Sequence, residues 1–135
     1  MSDLPVMDSG KTVVTKTANG SVNDTVAKLS KLVEARGLTL FAIVDHSGVA
    51  RRTGLELRDT KVVIFGSPEA GTPVMQAMPL VALDLPLKLL IWDDGGRTKV
   101  SYTAPDALAA RYNVSDELAQ RLAGIGPISD ALVAA

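Results

Sequence analysis

The stretch from Leu38 to Val44 reads Leu-Thr-Leu-Phe-Ala-Ile-Val, so a strand formed there presents hydrocarbon on both of its alternating faces. Such a strand predicts a place in the interior of a sheet, with neighbours on each side and cover above and below. Val62-Val63-Ile64-Phe65 repeats the demand as a second buried strand. Each run empties into a polar turn, Asp45-His46-Ser47-Gly48 after the first and Gly66-Ser67-Pro68-Glu69-Ala70-Gly71 after the second. The rest of the chain has to supply the partner strands and the covering helices.

It contains both. Lys11 to Thr17 carries Val13-Val14 among threonines and lysines and stops at Asn19-Gly20, which predicts a strand and a turn. Ser21 follows as an N-cap with Asp24 in the first turn, and Val22, Val26, Leu29 and Val33 line one face of the helix behind it, which Gly37 ends. Ser47 is placed to cap a short helix through Ala50 to Thr53, stopped by Gly54. Thr72-Pro73 fits an N-cap with proline at N1, opening a helix that runs to Met78 and is terminated by Pro79. Leu87 to Trp92 and Thr98 to Tyr102 flank Asp93-Asp94-Gly95-Gly96-Arg97, a hairpin signal. Pro105 starts a helix carrying Leu108 and Tyr112, and Ser115-Asp116-Glu117 opens another with Leu118, Leu122 and Ile125 as its stripe. Gly124, Gly126 and Pro127 break that helix before a short C-terminal helical tail.

The expected architecture is therefore α+β, a single domain with one mixed β-sheet of about five strands and helices packed mainly on one face. With 135 residues, 47% hydrophobic and 21% charged, one core of ordinary composition is affordable and two are not. Residues 1–10 are expected to be a flexible leader and residues 11–135 the domain. The leader lacks the basic and apolar regions of a signal peptide. Gln76, Pro79, Asp84, Pro86 and Lys88 interrupt the apolar window Val74 to Trp92, which therefore reads as core elements and not as a membrane span. A cytoplasmic location without membrane contact is the expectation.

A formal charge of −1 gives no net field to hold nucleic acid, and Arg51-Arg52 alone reads as a solvated face. The absence of cysteine excludes disulfides, iron–sulfur clusters, thiolate zinc sites and cysteine nucleophiles within the chain. With a single imidazole, no closed metal site is expected either.

Phe41 through Val44 running into Asp45-His46, then Ala50, Gly54-Leu55, Val63-Ile64-Phe65-Gly66-Ser67-Pro68 leading to Gly71-Thr72, Ala82-Leu83-Asp84-Leu85-Pro86-Leu87-Lys88, and Ser101-Tyr102 before Pro105 follow one another along the chain. In this pattern, residues 12 to 125 resemble the domain-of-unknown-function family 302. The resemblance implies a compact α+β fold, often met as a homodimer, and brings no catalytic roles with it.

The candidate catalytic residue is His46, the sole histidine, with Asp45 and Ser47 beside it. Consecutive residues leaving a strand project in different directions, so Asp45-His46-Ser47 is not a triad. The alternative reading is a histidine that holds the turn through backbone hydrogen bonds. Gly66, Ser67, Gly71 and Thr72 are the candidate ligand-binding residues, where backbone N–H groups at a helix N-terminus could face an anion. No Gly-Lys-Ser/Thr or Gly-x-Gly-x-x-Gly pattern is present, and a tight turn explains the glycines equally. Asp93-Asp94 belongs to turn chemistry, whereas Asp84 in an apolar stretch calls for Lys88 or an arginine as partner.

Three functions compete. The first is a non-enzymatic homodimeric module that binds a small apolar or anionic molecule, or another protein. The second is a small enzyme using His46 as general acid or base beside a pocket at the Gly66 to Thr72 loop. The third is a haem-binding protein with His46 as axial ligand and Met75 or Met78 as the second; otherwise no cofactor is expected.

Overall fold

In the computed structural model, which describes residues 12–135, β1 (Val13–Ala18) turns through Asn19 and Gly20 into α1 (Val22–Ala35). Gly20 holds φ at +88°, which an L side chain rarely adopts, and Ser21 accepts from the Asp24 N–H as the N-cap. Then come β2 (Thr39–Asp45), α2 (His46–Arg52), β3 (Thr60–Gly66) and α3 (Pro68–Ala77). A 3-10 turn (Pro79–Asp84) leads to the hairpin of β4 (Leu87–Asp94) and β5 (Arg97–Thr103). The chain ends with α4 (Pro105–Arg111), α5 (Asp116–Ala119), a second 3-10 turn (Gln120–Leu122) and α6 (Ile125–Ala134). The expected leader, residues 1–10, lies outside the described residues, as does Lys11.

The α+β class holds, with one five-stranded sheet in the order β1-β5-β4-β3-β2. The sheet is not mixed: all four pairings are antiparallel. Antiparallel neighbours follow from the connections. A seven-residue helix such as α2 rises about 10 Å, whereas a seven-residue strand covers about 23 Å. The chain leaving β2 therefore re-enters the sheet at the same end, running the other way. The Gly95-Gly96 hairpin does so with two positive-φ glycines, and the Gly96 N–H is tied to Asp93 Oδ1 at 2.9 Å.

Residues paired across strands share a face, so the register assigns the two sides of the sheet. Val63 and Phe65 of β3, Leu89 and Ile91 of β4, and Val100 and Tyr102 of β5 point at the apolar stripe of α1 and at Ile125, Ile128 and Leu132 of α6. Each fully buried side chain of this kind contributes about 1.5–3 kcal/mol. Val62, Ile64, Leu90 and Trp92 lie on the opposite face, where each remains half-buried. A second, smaller cluster joins Val74 of α3, Val81, Leu108 of α4 and Leu122 at one end of the molecule.

Four local expectations are corrected. β2 is an edge strand: Leu40, Phe41 and Ile43 are 42%, 53% and 43% exposed. Helix α2 is capped by Asp45 and not by Ser47; Asp45 Oδ1 accepts from the Gly48 N–H at 2.9 Å and from the Ser47 hydroxyl at 2.8 Å. Helix α3 starts at Ser67-Pro68, one turn before Thr72-Pro73, because Ser67 Oγ accepts from the Ala70 N–H while Pro68 occupies N1. The C-terminal tail is a ten-residue core helix, since Gly126 and Pro127 fall in its first turn, where a missing N–H costs nothing. The window Val74 to Trp92 resolves into the end of α3, a 3-10 turn and β4, and no described helix is long and apolar enough to cross a membrane.

Candidate functional site

Where β3 gives way to α3, the chain passes from a paired strand to a capped helix within two residues, Gly66 and Ser67. Gly66 pairs with Thr39 at the start of β2. A Cβ on Gly66 would stand 3.6 Å from Pro86 Cβ and 3.8 Å from Phe41 Cε2, ordinary contact distances that place the strand end beside both. Beside this junction opens a cavity of about 520 Å³, within the size range of small-molecule sites. Leu38 and Phe41 from the β2 end, Phe65 of β3, Met75 of α3, Leu85 to Leu87 before and at the start of β4, and Leu122 give it apolar walls.

All four candidate ligand residues, Gly66, Ser67, Gly71 and Thr72, line this cavity. Their chemistry is not that of an anion cradle. The Ser67 hydroxyl caps the Ala70 N–H at 3.2 Å and donates to Glu69 Oε2 at 3.1 Å, and Pro68 has no N–H to offer. Gly71 leaves room in the wall: a Cβ there would meet Met75 Cε at 3.8 Å and Leu85 Cδ1 at 3.9 Å, ordinary contact distances.

Among the described residues, Arg121 is the one charged residue of the lining. Pro73, inside α3, cannot donate to the Glu69 carbonyl four residues back, and Arg121 Nη1 approaches that carbonyl at 3.4 Å. Sequence reasoning did not select Arg121, Leu38, Phe41, Leu85 or Leu122. The proline-orphaned carbonyl at Glu69 was hidden too, since Pro73 was expected at N1 of a helix opening at Thr72.

His46 lies elsewhere. Thr39 pairs with Gly66 and Asp45 with Lys61, so His46 follows the far end of the strand, about 20 Å from the cavity end at the usual rise per residue. Its side chain is exposed and, among the described residues, makes no hydrogen bond. Its neighbours are engaged structurally. Asp45 caps α2 and faces Lys61 Nζ at 3.9 Å, while the buried Ser47 hydroxyl accepts from the Thr60 N–H at 3.1 Å. The Gly48 N–H first, and the Ser47 hydroxyl second, hold the Asp45 carboxyl below the ordinary carboxylate range. Within one chain the structure does not bring His46 to the glycine junction. Within one chain His46 is remote from Met75 as well, which lines the cavity.

Asp84 finds the arginine it called for: Arg111 Nη1 donates to its Oδ2 at 2.9 Å, and the Tyr112 hydroxyl donates to the same oxygen. The Tyr112 hydrogen bond, with Arg111 adding to it, holds Asp84 low, and the same bond pushes the Tyr112 phenol up. This ties α4 to the 3-10 turn that precedes the cavity wall. Among the described residues no three His, Asp or Glu side chains converge to hold a metal ion.

The family model described as "Domain of unknown function DUF302" matches residues 14–128. A protein of Brucella suis biovar 1 (strain 1330) named "Fluoride-specific ion channel FluC 1" is 36% identical over 110 residues, covering 81% of this chain and 42% of that protein. A protein of the same name from Brucella abortus biovar 1 (strain 9-941) is 36% identical over the same length and covered to 40%. The chain thus spans less than half the length of these curated relatives. The crystal structure of an uncharacterized conserved protein DUF302 from Bacillus stearothermophilus superposes with a TM-score of 0.77 at 20% identity, covering 90% of this chain and 95% of that one. That likeness shows a shared fold.

Proposed function

This chain belongs to the family described as Domain of unknown function DUF302, and from that premise we propose that it is a non-enzymatic module that binds a small, mainly apolar molecule in the cavity beside Gly66. The observation that carries the reading is the composition of the wall. It is hydrocarbon nearly throughout, and among the described residues its one charged side chain is the Arg121 guanidinium, a donor of N–H groups that serves neither as base nor as nucleophile. Apolar walls with few polar groups bind by excluding water, and Arg121 at the rim suits a ligand with a weakly polar or anionic end.

The enzyme reading needs a titratable group at the cavity, and His46 of the same chain is remote from it. A cytoplasmic setting remains part of the proposal. The name of the longer Brucella relatives suggests that a domain of this kind can accompany a transport protein. Fluoride itself is a poor match for this cavity, because the small, strongly hydrated anion needs several N–H donors or cations to replace its water.

The test is titration with the apolar anion 8-anilinonaphthalene-1-sulfonate (ANS), followed by fluorescence in the native protein and in Gly71→Leu, whose side chain would fill the cavity from the α3 wall. Saturable binding lost in Gly71→Leu supports the reading. Equal binding in both proteins, or none in either, overturns it. Sodium fluoride is expected to leave the amide resonances of Gly66, Gly71 and Arg121 in place.

A further inference from the structure

We infer that the cavity takes a hydrocarbon monocarboxylate, its carboxylate on Arg121 and its apolar body against the end of the sheet. This rests on the ligand-binding reading and adds to it the chemical class of the ligand. The two sides of the cavity are unequal. On the sheet side, Leu38, Phe41, Phe65 and Leu87 present hydrocarbon alone, with Phe65 paired to Leu87 across β3 and β4. The polar side chains stand opposite, Ser67 and Thr72 from α3 and its cap, Arg121 from the second 3-10 turn. A molecule that matches both sides is polar at one end and apolar through the rest.

The groups left to meet the polar end set its charge. Among the described residues no carboxylate lines the cavity, and Arg121 makes no ion pair. Glu69, on the same side, is not part of the wall, and its Oε2 lies 3.1 Å from the Ser67 hydroxyl, which also caps the Ala70 N–H. Ser67 is therefore engaged. The Thr72 hydroxyl makes no hydrogen bond among the described residues, and the Arg121 guanidinium makes one, to the Glu69 carbonyl at 3.4 Å. That contact holds the guanidinium beside α3 and leaves most of its five N–H donors for a ligand. Two of them match the two oxygens of a carboxylate, whereas an alcohol offers one oxygen and no charge. A phosphate monoester, with nearly two negative charges and three strong acceptors, asks for more donors than Arg121 and Thr72 hold.

The test compares sodium octanoate, octan-1-ol and octyl phosphate, which share one hydrocarbon chain and differ at the head, by calorimetric titration of the native protein, Gly71→Leu and Arg121→Gln. Octanoate should bind the native protein about tenfold more tightly than octan-1-ol, as a charge-assisted hydrogen bond implies. Arg121 is exposed, so Arg121→Gln should keep the native circular dichroism, and it should abolish the preference by weakening octanoate while leaving octan-1-ol unchanged. In the native protein the Arg121 Nε–H resonance should move with octanoate and stay in place with octan-1-ol, a response that an arginine serving only to hold α3 would not give. Gly71→Leu should bind neither. Equal affinity for octanoate and octan-1-ol, tighter binding of octyl phosphate than of octanoate, or undiminished octanoate binding by Arg121→Gln overturns the carboxylate class and leaves the apolar-ligand reading in place. Octanoate that fails to bind where ANS binds does the same. Failure of ANS and of all three probes overturns the ligand-binding reading and the class together.

Discussion

Gly48 shows how closely a single residue is held. A Cβ added there would lie 2.9 Å from Asp45 Cγ, inside the carboxylate that caps α2, which could yield only by giving up its bonds to the Gly48 N–H and the Ser47 hydroxyl. Gly48→Ala is expected to lower the unfolding midpoint and to fray α2, read by thermal denaturation and by the amide exchange of Gly48. Gly71 is the opposite case: its Cβ site is free and its backbone helical, so Gly71→Ala should stabilise the protein by about 0.5–1 kcal/mol. The caps also give stability an acid limb. Asp45 and Asp84 both sit below the ordinary carboxylate pKa, so their contribution is present above that pH and fades as pH falls through the lower folded-state values. Asparagine keeps the capping geometry without the titration, and Asp45→Asn should flatten the acid end of the stability–pH curve measured by urea unfolding. At this scale the sequence pointed to Ser47 as the cap of α2, and the cap is Asp45, two residues earlier. Asp45 and Ser47 both serve at N-caps, and the choice is set by where β3 brings the Thr60 backbone to meet Ser47.

Whole elements were legible where period and punctuation agreed. Helix α1 and the Gly95-Gly96 hairpin fall where the stripe and the turn residues put them, because both signals are local. Edge or interior placement is not local. The apolar run of β2 met the description of a buried strand, yet among the described residues β3 is its one neighbour and Leu40, Phe41 and Ile43 stay exposed. The C-terminal helix misled in the other direction. Gly124, Gly126 and Pro127 look like breakers, yet they open α6, whose Ile125, Ile128 and Leu132 are at most 2% exposed and close the core over α1. Leu132→Ala, three residues from the C-terminal Ala135, is therefore expected to cost about 2–5 kcal/mol in urea denaturation. A peripheral tail would tolerate the same change within about 0.5 kcal/mol.

For the molecule as a whole, the cavity and the exposed β2 edge share Phe41, so whatever fills the cavity touches a side chain that the edge leaves in water. The Gly66 junction was legible as a site because glycine, serine and proline cluster between a buried strand and a helix; its walls were not, because Leu38, Leu85 and Arg121 converge only after the sheet has closed. Filling that space has a thermodynamic consequence. A molecule held only by the folded cavity stabilises the fold, by about 2.7 kcal/mol at a hundredfold excess over its Kd. ANS should therefore raise the unfolding midpoint of the native protein and leave that of Gly71→Leu unchanged, read by circular dichroism over a series of probe concentrations. An equal rise in both proteins would place the probe outside the space beside Gly66.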